Sequence, residues 1–367
     1  MKPQAVHILI SGARAPIALE MARSFKKWGC KVIMMDSVHL TIARWSNKVD
    51  EYYVVPSPRF FTQAFVKEVR EIIQKENITH FIPTCEEAIF VSQHIEIFKC
   101  KVWTSPLSLV LKLHNKYSFT HFNAANFPIP PTQILTEFTD WENSSDYVFK
   151  PIYSRFASAV IINKKLNSND IPDEEKPKWI AQKKVIGKEI CIYSIWDNGK
   201  LKAYASYHPL YRAGKGAGVY FEPVFNDLVR TYVQGFGESI NYTGQLSFDV
   251  IIDENEIPYF IECNPRGTSG AHLLHENLAK AFLQNERFIL EDKTEYCIKY
   301  AMFILHFFAY FHSRTLKAKD VILKRNDIKP FVLQVLSLLE ITYIKFSRNM
   351  SWLEASTSDI EWNHDEN

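Results

Sequence analysis

Two apolar runs, residues 246–252 and 257–263, flank the polar stretch 253–256, and few folds accommodate that arrangement. Runs of this length around a short polar segment read as a β-hairpin. With Asn255 and Glu256 as the turn, Asp249 falls directly opposite Glu262. Side chains alternate along a strand, so Glu262 and Asn264 share one face, and Asp249 projects from that same face. Two carboxylates opposite each other on a sheet repel and destabilise it. A cation between them removes the repulsion. Hard oxygen ligands without His or Cys suit Mg²⁺, which shares its shell with substrate phosphates. Arg266 follows just beyond the ligands, where it can hold an anion bidentately. The competing reading is a surface hairpin with an acidic face turned to solvent.

The chain of 367 residues is long enough for two or three domains, and 47% hydrophobic content indicates packed cores. A formal net charge of +2 gives no nucleic-acid footprint. The six cysteines are scattered without a CxxC pair, as expected of reduced thiols in a cytoplasmic protein. The apolar run at 6–10 is too short for a signal peptide and lacks a cleavage pattern. The aromatic run 300–311 is shorter than the ~20 residues that span a bilayer, and it contains His306. A buried helix is therefore expected there and no membrane partner, with surface docking or a homodimer interface as the alternatives. Residues 332–346 add a second apolar stretch, so residues 289–367 read as a helical appendage. The acidic stretch 354–367 is expected to fray.

The first segment alternates strand and helix. Strands are expected at 6–10, 31–35 and 80–83, and helices at 17–28, at 61–76 and after Glu87. That order implies a parallel sheet with right-handed crossovers, whose ligands bind beyond the carboxyl ends of the strands. Residues 11–15, Asp36 and residues 84–87 lie there, so Arg14, Glu86 and Glu87 are candidate pocket residues. The first loop carries one glycine, Gly12, and no GxGxxG. Farther on, a helix is expected at 117–125 and strands at 132–135, 147–151, 179–183 and 189–196. Asn198-Gly199 is a hairpin signal leading into 201–208. The glycine-rich basic stretch 211–218 is expected to be mobile.

Four ordered blocks resemble the ATP-grasp superfamily over roughly residues 5–285. They are Asn115-Lys116 followed by FPIP at 127–130, YVFKP at 147–151, IAQKKVIGKE at 180–189, and FIECNPR at 260–266. The last block is the most specific. The likeness is greatest to the single-module, carbamoyl-phosphate-synthase-like and amino-acid-ligase branches.

The resemblance implies an α/β ATP-grasp fold. An N-terminal Rossmann-like domain would span 1–112, a small ATP-grasp subdomain 113–185, a large one with the metal site 186–288, and the appendage 289–367. It further implies that Lys116 and Lys150 contact ATP phosphates, with lysine acting as a point charge. Gln182, Lys183, Lys184 and Val185 would line the adenine, and Glu189 would accept from the ribose. Asp249, Glu262 and Asn264 would hold Mg²⁺, and Arg266 would face the transferred phosphoryl group. The sequence departs from the family at residues 153–158, where a glycine-rich phosphate loop is usual and none of the six is glycine. Ser154, Arg155 and Ser158 are the replacement donors there. Arg212 and Lys215, on the glycine-rich stretch, would close onto the substrate as a lid.

Three activities follow from the resemblance. The first is an ATP-dependent carboxylate–amine ligase working through an acyl-phosphate on small carboxylate and amine substrates, amino acids among them. The second is a relative that phosphorylates a carboxylate or carbamate. The third is an ATP-binding module without chemistry.

Overall fold

The computed structural model describes residues 6–122, 127–155, 159–214 and 216–363. The N-terminal unit is a five-stranded parallel sheet in the order β3-β2-β1-β4-β5. Its strands are β1 (His7–Ser11), β2 (Lys31–Asp36), β3 (Glu51–Val54), β4 (His80–Ile82) and β5 (Lys101–Val102). Helix α1 (Pro16–Lys27) opens on a proline, whose missing N–H costs nothing in a first turn. Helices α2 (Thr62–Lys75) and α3 (Glu87–Ser92) complete the layer pattern. Gly12 is required between β1 and α1. Its φ is +73°, and a Cβ there would lie 2.4 Å from the Thr84 hydroxyl.

Helices α4 (Leu107–His114) and α5 (Lys116–Thr120) lead to a three-stranded antiparallel sheet. It comprises β6 (Thr132–Ile134), β7 (Tyr147–Pro151) and β8 (Trp179–Lys183), in the order β6-β8-β7. The helix expected at 117–125 ends at Thr120, and its residues 123–125 lie outside the described residues.

The largest sheet has eight strands. Its five long strands are β9 (Gly187–Asp197), β10 (Lys200–Ala213), β11 (Ala217–Pro223), β12 (Gly244–Asp253) and β13 (Pro258–Asn264), with β13 at one edge. Three two-residue strands, β14 (Phe288–Ile289), β15 (Tyr296–Cys297) and β16 (Lys319–Asp320), extend it. Asn198 and Gly199 both take positive φ between β9 and β10, the requirement of a tight hairpin turn. Helix α6 (Asp227–Ser239) covers one face through Val229, Val233 and Phe236, in a core with Trp196 and Phe248. On the other face, Tyr193, Ala205 and Tyr207 join α1 and α7 (Asn277–Leu283) in a core that binds the large and N-terminal sheets together.

The chain continues through α8 (Lys299–Leu305), α9 (Phe307–Tyr310), α10 (Ser313–Lys317), α11 (Lys329–Arg348) and α12 (Trp352–Thr357). This region corrects two expectations. Residues 300–311 are not a buried helix. They form two short helices broken at His306, and Phe303, Phe307, Phe308 and Phe311 are exposed, Phe308 to 92%. The stretch expected to fray from 354 is held as far as Asn363, because Asp359 and Glu361 pair with Arg14 and Arg59 in loops of the N-terminal unit and Trp362 packs against helices α3 and α4. Residues 364–367 lie outside the described residues. Within the glycine-rich stretch 211–218, Arg212 pairs with Gly218 and Ala213 with Ala217 across β10 and β11, and Lys215 lies outside the described residues.

Candidate active site

The β12–β13 hairpin sets Asp249 opposite Glu262 and Ser247 opposite Asn264. The turn is not the two-residue one expected. The Asp253 N–H reaches the Ile257 carbonyl at 3.1 Å, and Glu256 sits at φ +61°. The Asp253 carboxylate braces this three-residue loop by accepting from the N–H groups of Asn255 and Ile257. The extra loop residue would slip the register by one, but an irregularity between Asp249 and Val250 restores it.

On the other side of β12, Asp249 faces Cys191 of β9, and Ile251 faces Glu189. Ligand atoms of Glu189, Cys191 and Asp249 lie within 4.8 Å of one another, so two sets compete for a metal. Burial, together with the neighbouring Asp249 and Glu189, raises the Cys191 thiol well above its ordinary value. A protonated thiol is a poor ligand for a hard cation. Asp249, Glu262 and Asn264 therefore fit Mg²⁺ better, with Glu189 at the rim.

The two carboxylates are electrostatically unequal. Burial and the adjacent Glu262 push Asp249 up to about 8. Burial acts on Glu262 in the same direction, but Lys116 and Lys150 overcome it and hold Glu262 down at about 2. Paired carboxylates of which one resists ionisation are what a divalent cation would relieve.

Both lysines are buried and reach this place from other elements. Lys116, the first residue of α5, lies 3.6 Å from Glu262 and donates to the Ser154 carbonyl at 3.0 Å. Lys150 comes from β7 and donates to Gln182 Oε1 at 3.0 Å. The Gln182 amide in turn donates to the Thr132 hydroxyl, so the small sheet fixes its orientation. Lys183 pairs with Asp146 at 3.3 Å, and Lys184 bonds Asn163 at 3.0 Å. Both side chains thus lie on the outer side of the small sheet, away from Glu262. Val185 is half-buried between β8 and β9. Glu189 is bonded to Arg212, whose carbonyl accepts from His306 at 2.8 Å.

The residues gathered at the carboxyl edge of the N-terminal sheet are already engaged. Arg14 spends its guanidinium on Asp36, Ser37, Asp359 and the Ser356 carbonyl. Glu87 accepts from Ser11 and from the N–H groups of Thr84 and Cys85. The expectation that these two are pocket residues is corrected: they brace loops.

Glu86 stands between two arginines. It pairs with Arg155 and lies 3.8 Å from Arg266, whose buried Nε has no hydrogen-bond partner among the described residues. Arg155 also donates to the Trp362 carbonyl and to Asn363. It is therefore fastened to the C-terminal segment, not aimed at the lysines. Ser154 faces the cleft through its carbonyl, while its hydroxyl turns back to Pro151. Ser158 and Lys215 lie outside the described residues.

Sequence reasoning missed three contributors. Cys191 carries no motif. His114 is buried within electrostatic reach of Glu86, and burial presses its imidazole down to about 4. Trp362 packs edge-on against Phe90, 5.2 Å between ring centroids. A cavity of about 160 Å³ separates Tyr153, Ser154 and Arg155 from Leu353, Thr357 and Glu361. A larger one, about 460 Å³, is lined by Tyr204 and Ser206 against α6. By strand register it belongs to the face away from Asp249.

No curated protein matches the chain by sequence. Among solved structures, the chain resembles an N5-carboxyaminoimidazole synthetase from Staphylococcus aureus complexed with ADP. That match has 16% identity and a TM-score of 0.64, and covers 88% of this chain and 91% of that one. It also resembles an L-amino acid ligase from Bacillus licheniformis, with 14% identity, a TM-score of 0.58, and 77% and 75% covered. The biotin carboxylase of Campylobacter jejuni matches with 15% identity, a TM-score of 0.56, and 74% and 69% covered. These likenesses establish the fold. Residues 113–270 match the ATP-grasp domain family, whose members are typically ATP-dependent ligases using ATP with Mg²⁺. By this match and its fold, residues 113–270 form an ATP-grasp domain.

Proposed function

We propose that the protein is an ATP-dependent, ADP-forming ligase that joins a small carboxylate to an amine through an acyl-phosphate. One observation carries the reading. Two buried lysines from different elements converge on the Asp249–Glu262 pair, with Arg266 two residues beyond the end of β13. Phosphoryl transfer asks the protein for positioning and charge neutralisation more than for covalent chemistry. Lys116 and Lys150 would neutralise nucleotide phosphates. Asp249, Glu262 and Asn264 would hold Mg²⁺, which when bound supplies further neutralisation of the transferred group. Arg266, whose Nε has Glu86 at 3.8 Å but no hydrogen-bond partner among the described residues, would hold the substrate carboxylate or the acyl-phosphate.

The buried side of the small sheet supports a nucleotide seat, with Gln182 tied to Lys150 and Val185 at the junction of the two sheets. Glu189 would accept from the ribose once Arg212 releases it, and Arg212 would then be free to turn toward substrate. Amino acids are the first carboxylates and amines to test, with bicarbonate beside them. Six unpaired cysteines support a cytoplasmic setting.

A second reading, an ATP-binding module without turnover, is favoured by the fastening of Arg155 outside the lysine cluster. Released phosphate and ADP, measured with Mg²⁺ and ATP against pools of amino acids, separates the two. Phosphate that appears only with particular pools establishes the ligase. Tight ATP binding with no phosphate from any pool leaves the module.

A further inference from the structure

The segment from Lys299 to Arg348 carries nine lysines and arginines and three acids, in a chain whose total is only +2. All three acids are turned inward. Asp320 is buried and accepts from the Ile322 N–H. Asp327 is buried against Arg23 and Ser46. Glu340 accepts from the N–H groups of His39 and Leu40. Arg314 is spent on Glu222 and Glu295, and the exposed face of the rest carries the other cations and apolar side chains.

Helix α11 shows the arrangement most clearly. Its twenty residues measure about 30 Å. Glu340 docks its middle on the N-terminal unit, and Gln334 is buried on the same helix. The outward stripe is Val332, Val335, Leu339, Tyr343 and Phe346, with Tyr343 73% and Phe346 71% exposed. Lys329 stands at one end of the helix, and Lys345 and Arg348 at the other. At that second end, Arg348 lies over the ring of Phe60, and Phe60, Phe61 and Trp352 are exposed. Glu354, the nearby acid, is spent capping α12.

An exposed apolar face of this size marks an interaction surface. The helix is long and apolar enough to cross a membrane, yet only 17% buried. In this fold it cannot span, because its middle is fixed by Glu340 and both its ends continue into docked segments. A second copy would bring two cationic faces together. An anionic bilayer answers both properties. Apolar side chains enter the acyl boundary, aromatic rings sit at headgroup level, and flanking lysines and arginines meet the phosphates. We propose that the outer face of α11, with the Phe60–Phe61 loop beside it, docks the protein on an anionic lipid surface. The attachment is peripheral and reversible.

Full-length protein is mixed with vesicles of phosphatidylcholine, with or without phosphatidylglycerol, and the sedimented fraction is read against lipid and salt. Binding is expected only with the anionic lipid and should fade as salt shortens the screening length. L339E/F346E should abolish it. K345Q/R348Q should weaken it about fivefold per cation lost. None of these residues belongs to the proposed site, so each variant should retain wild-type nucleotide binding, and that shows it is folded. Equal binding to neutral vesicles, or binding that survives L339E/F346E, overturns the proposal. So does a wild type that ignores vesicles, and a dimer that L339E/F346E converts to monomer would then assign the face to self-association.

Discussion

Replacing Lys150 with methionine should make the ligand-free protein more stable while costing it nucleotide. Lys150 is 3% exposed, and burial pulls its ammonium down from 10.5 to about 8 against the attraction of Glu262. At about 1.4 kcal/mol per pH unit, keeping it charged at neutral pH costs the native state about 3 kcal/mol. Methionine fills most of the same volume without the charge. It leaves Gln182 Oε1 without its donor, a loss of about 1–2 kcal/mol. Glu262 keeps Lys116 at 3.6 Å. The balance is a gain of about 1–2 kcal/mol for Lys150→Met at pH 7.

The pH dependence has a definite sign. Between pH 8 and 10.5 the unfolded chain holds a proton that native Lys150 has released, so wild-type stability rises with pH across that window. The electrostatic advantage of the variant shrinks over the same window and is gone above it. Urea unfolding with and without MgADP measures both effects. Ligand at a hundred times its Kd should add about 2.7 kcal/mol to the wild type and far less to the variant. A ligand-free variant less stable than wild type by more than about 1 kcal/mol would refute the reasoning, since Lys150 would then be a structural cation.

Glu262→Gln should lower amine-dependent phosphate release at least about a hundredfold with an unchanged circular dichroism spectrum. His114, pressed down to about 4, refuses a proton that the unfolded chain accepts below 6.5, so stability should fall by about 3 kcal/mol between those values. His114→Leu should flatten that acid limb in urea titrations. Trp362→Ala should release the C-terminal segment at a local cost of about 3 kcal/mol. Hydrogen exchange should then rise in residues 352–363 while β1 to β5 stay protected. Gly237→Ala would set a Cβ 2.4 Å from the Trp196 ring. The fully buried indole cannot give way, and thermal unfolding should record a loss of about 1–3 kcal/mol.

The elements most legible in the sequence are those whose pattern is local. The register of Asp249 against Glu262 follows from alternation, and it holds although the turn is one residue longer than expected. Ladder pairing of β12 with β9 along its whole length fixes the strand independently of its turn. YVFKP and the strand at 179–183 form where their branched and aromatic residues place them. What could not be read was the choice of partner. Arg14 and Glu87 look like pocket residues in sequence because nothing local shows that Asp359 and Ser11 will occupy them. Residues 300–311 look buried because burial is the usual fate of aromatics, and nothing in the string shows which side lacks a covering element. Cys191 enters the site only through strand register, which brings it opposite Asp249.

The bond from Arg14 to Asp359 joins residues 345 positions apart. All five strands of the parallel sheet lie within the first 102 residues. That sheet can assemble from contacts short on the scale of the chain, whereas its carboxyl edge is finished only by the most distant segment. Loop closure over such a span adds little to the entropic cost, which grows only with the logarithm of length, but contacts of high sequence separation form late. Refolding should therefore pass through a species with the sheet formed and Arg14 held by Asp36 alone. In that species Glu86 and Arg155 lack their Trp362 partner. The cleft is completed last, so competence to bind should lag behind recovery of secondary structure.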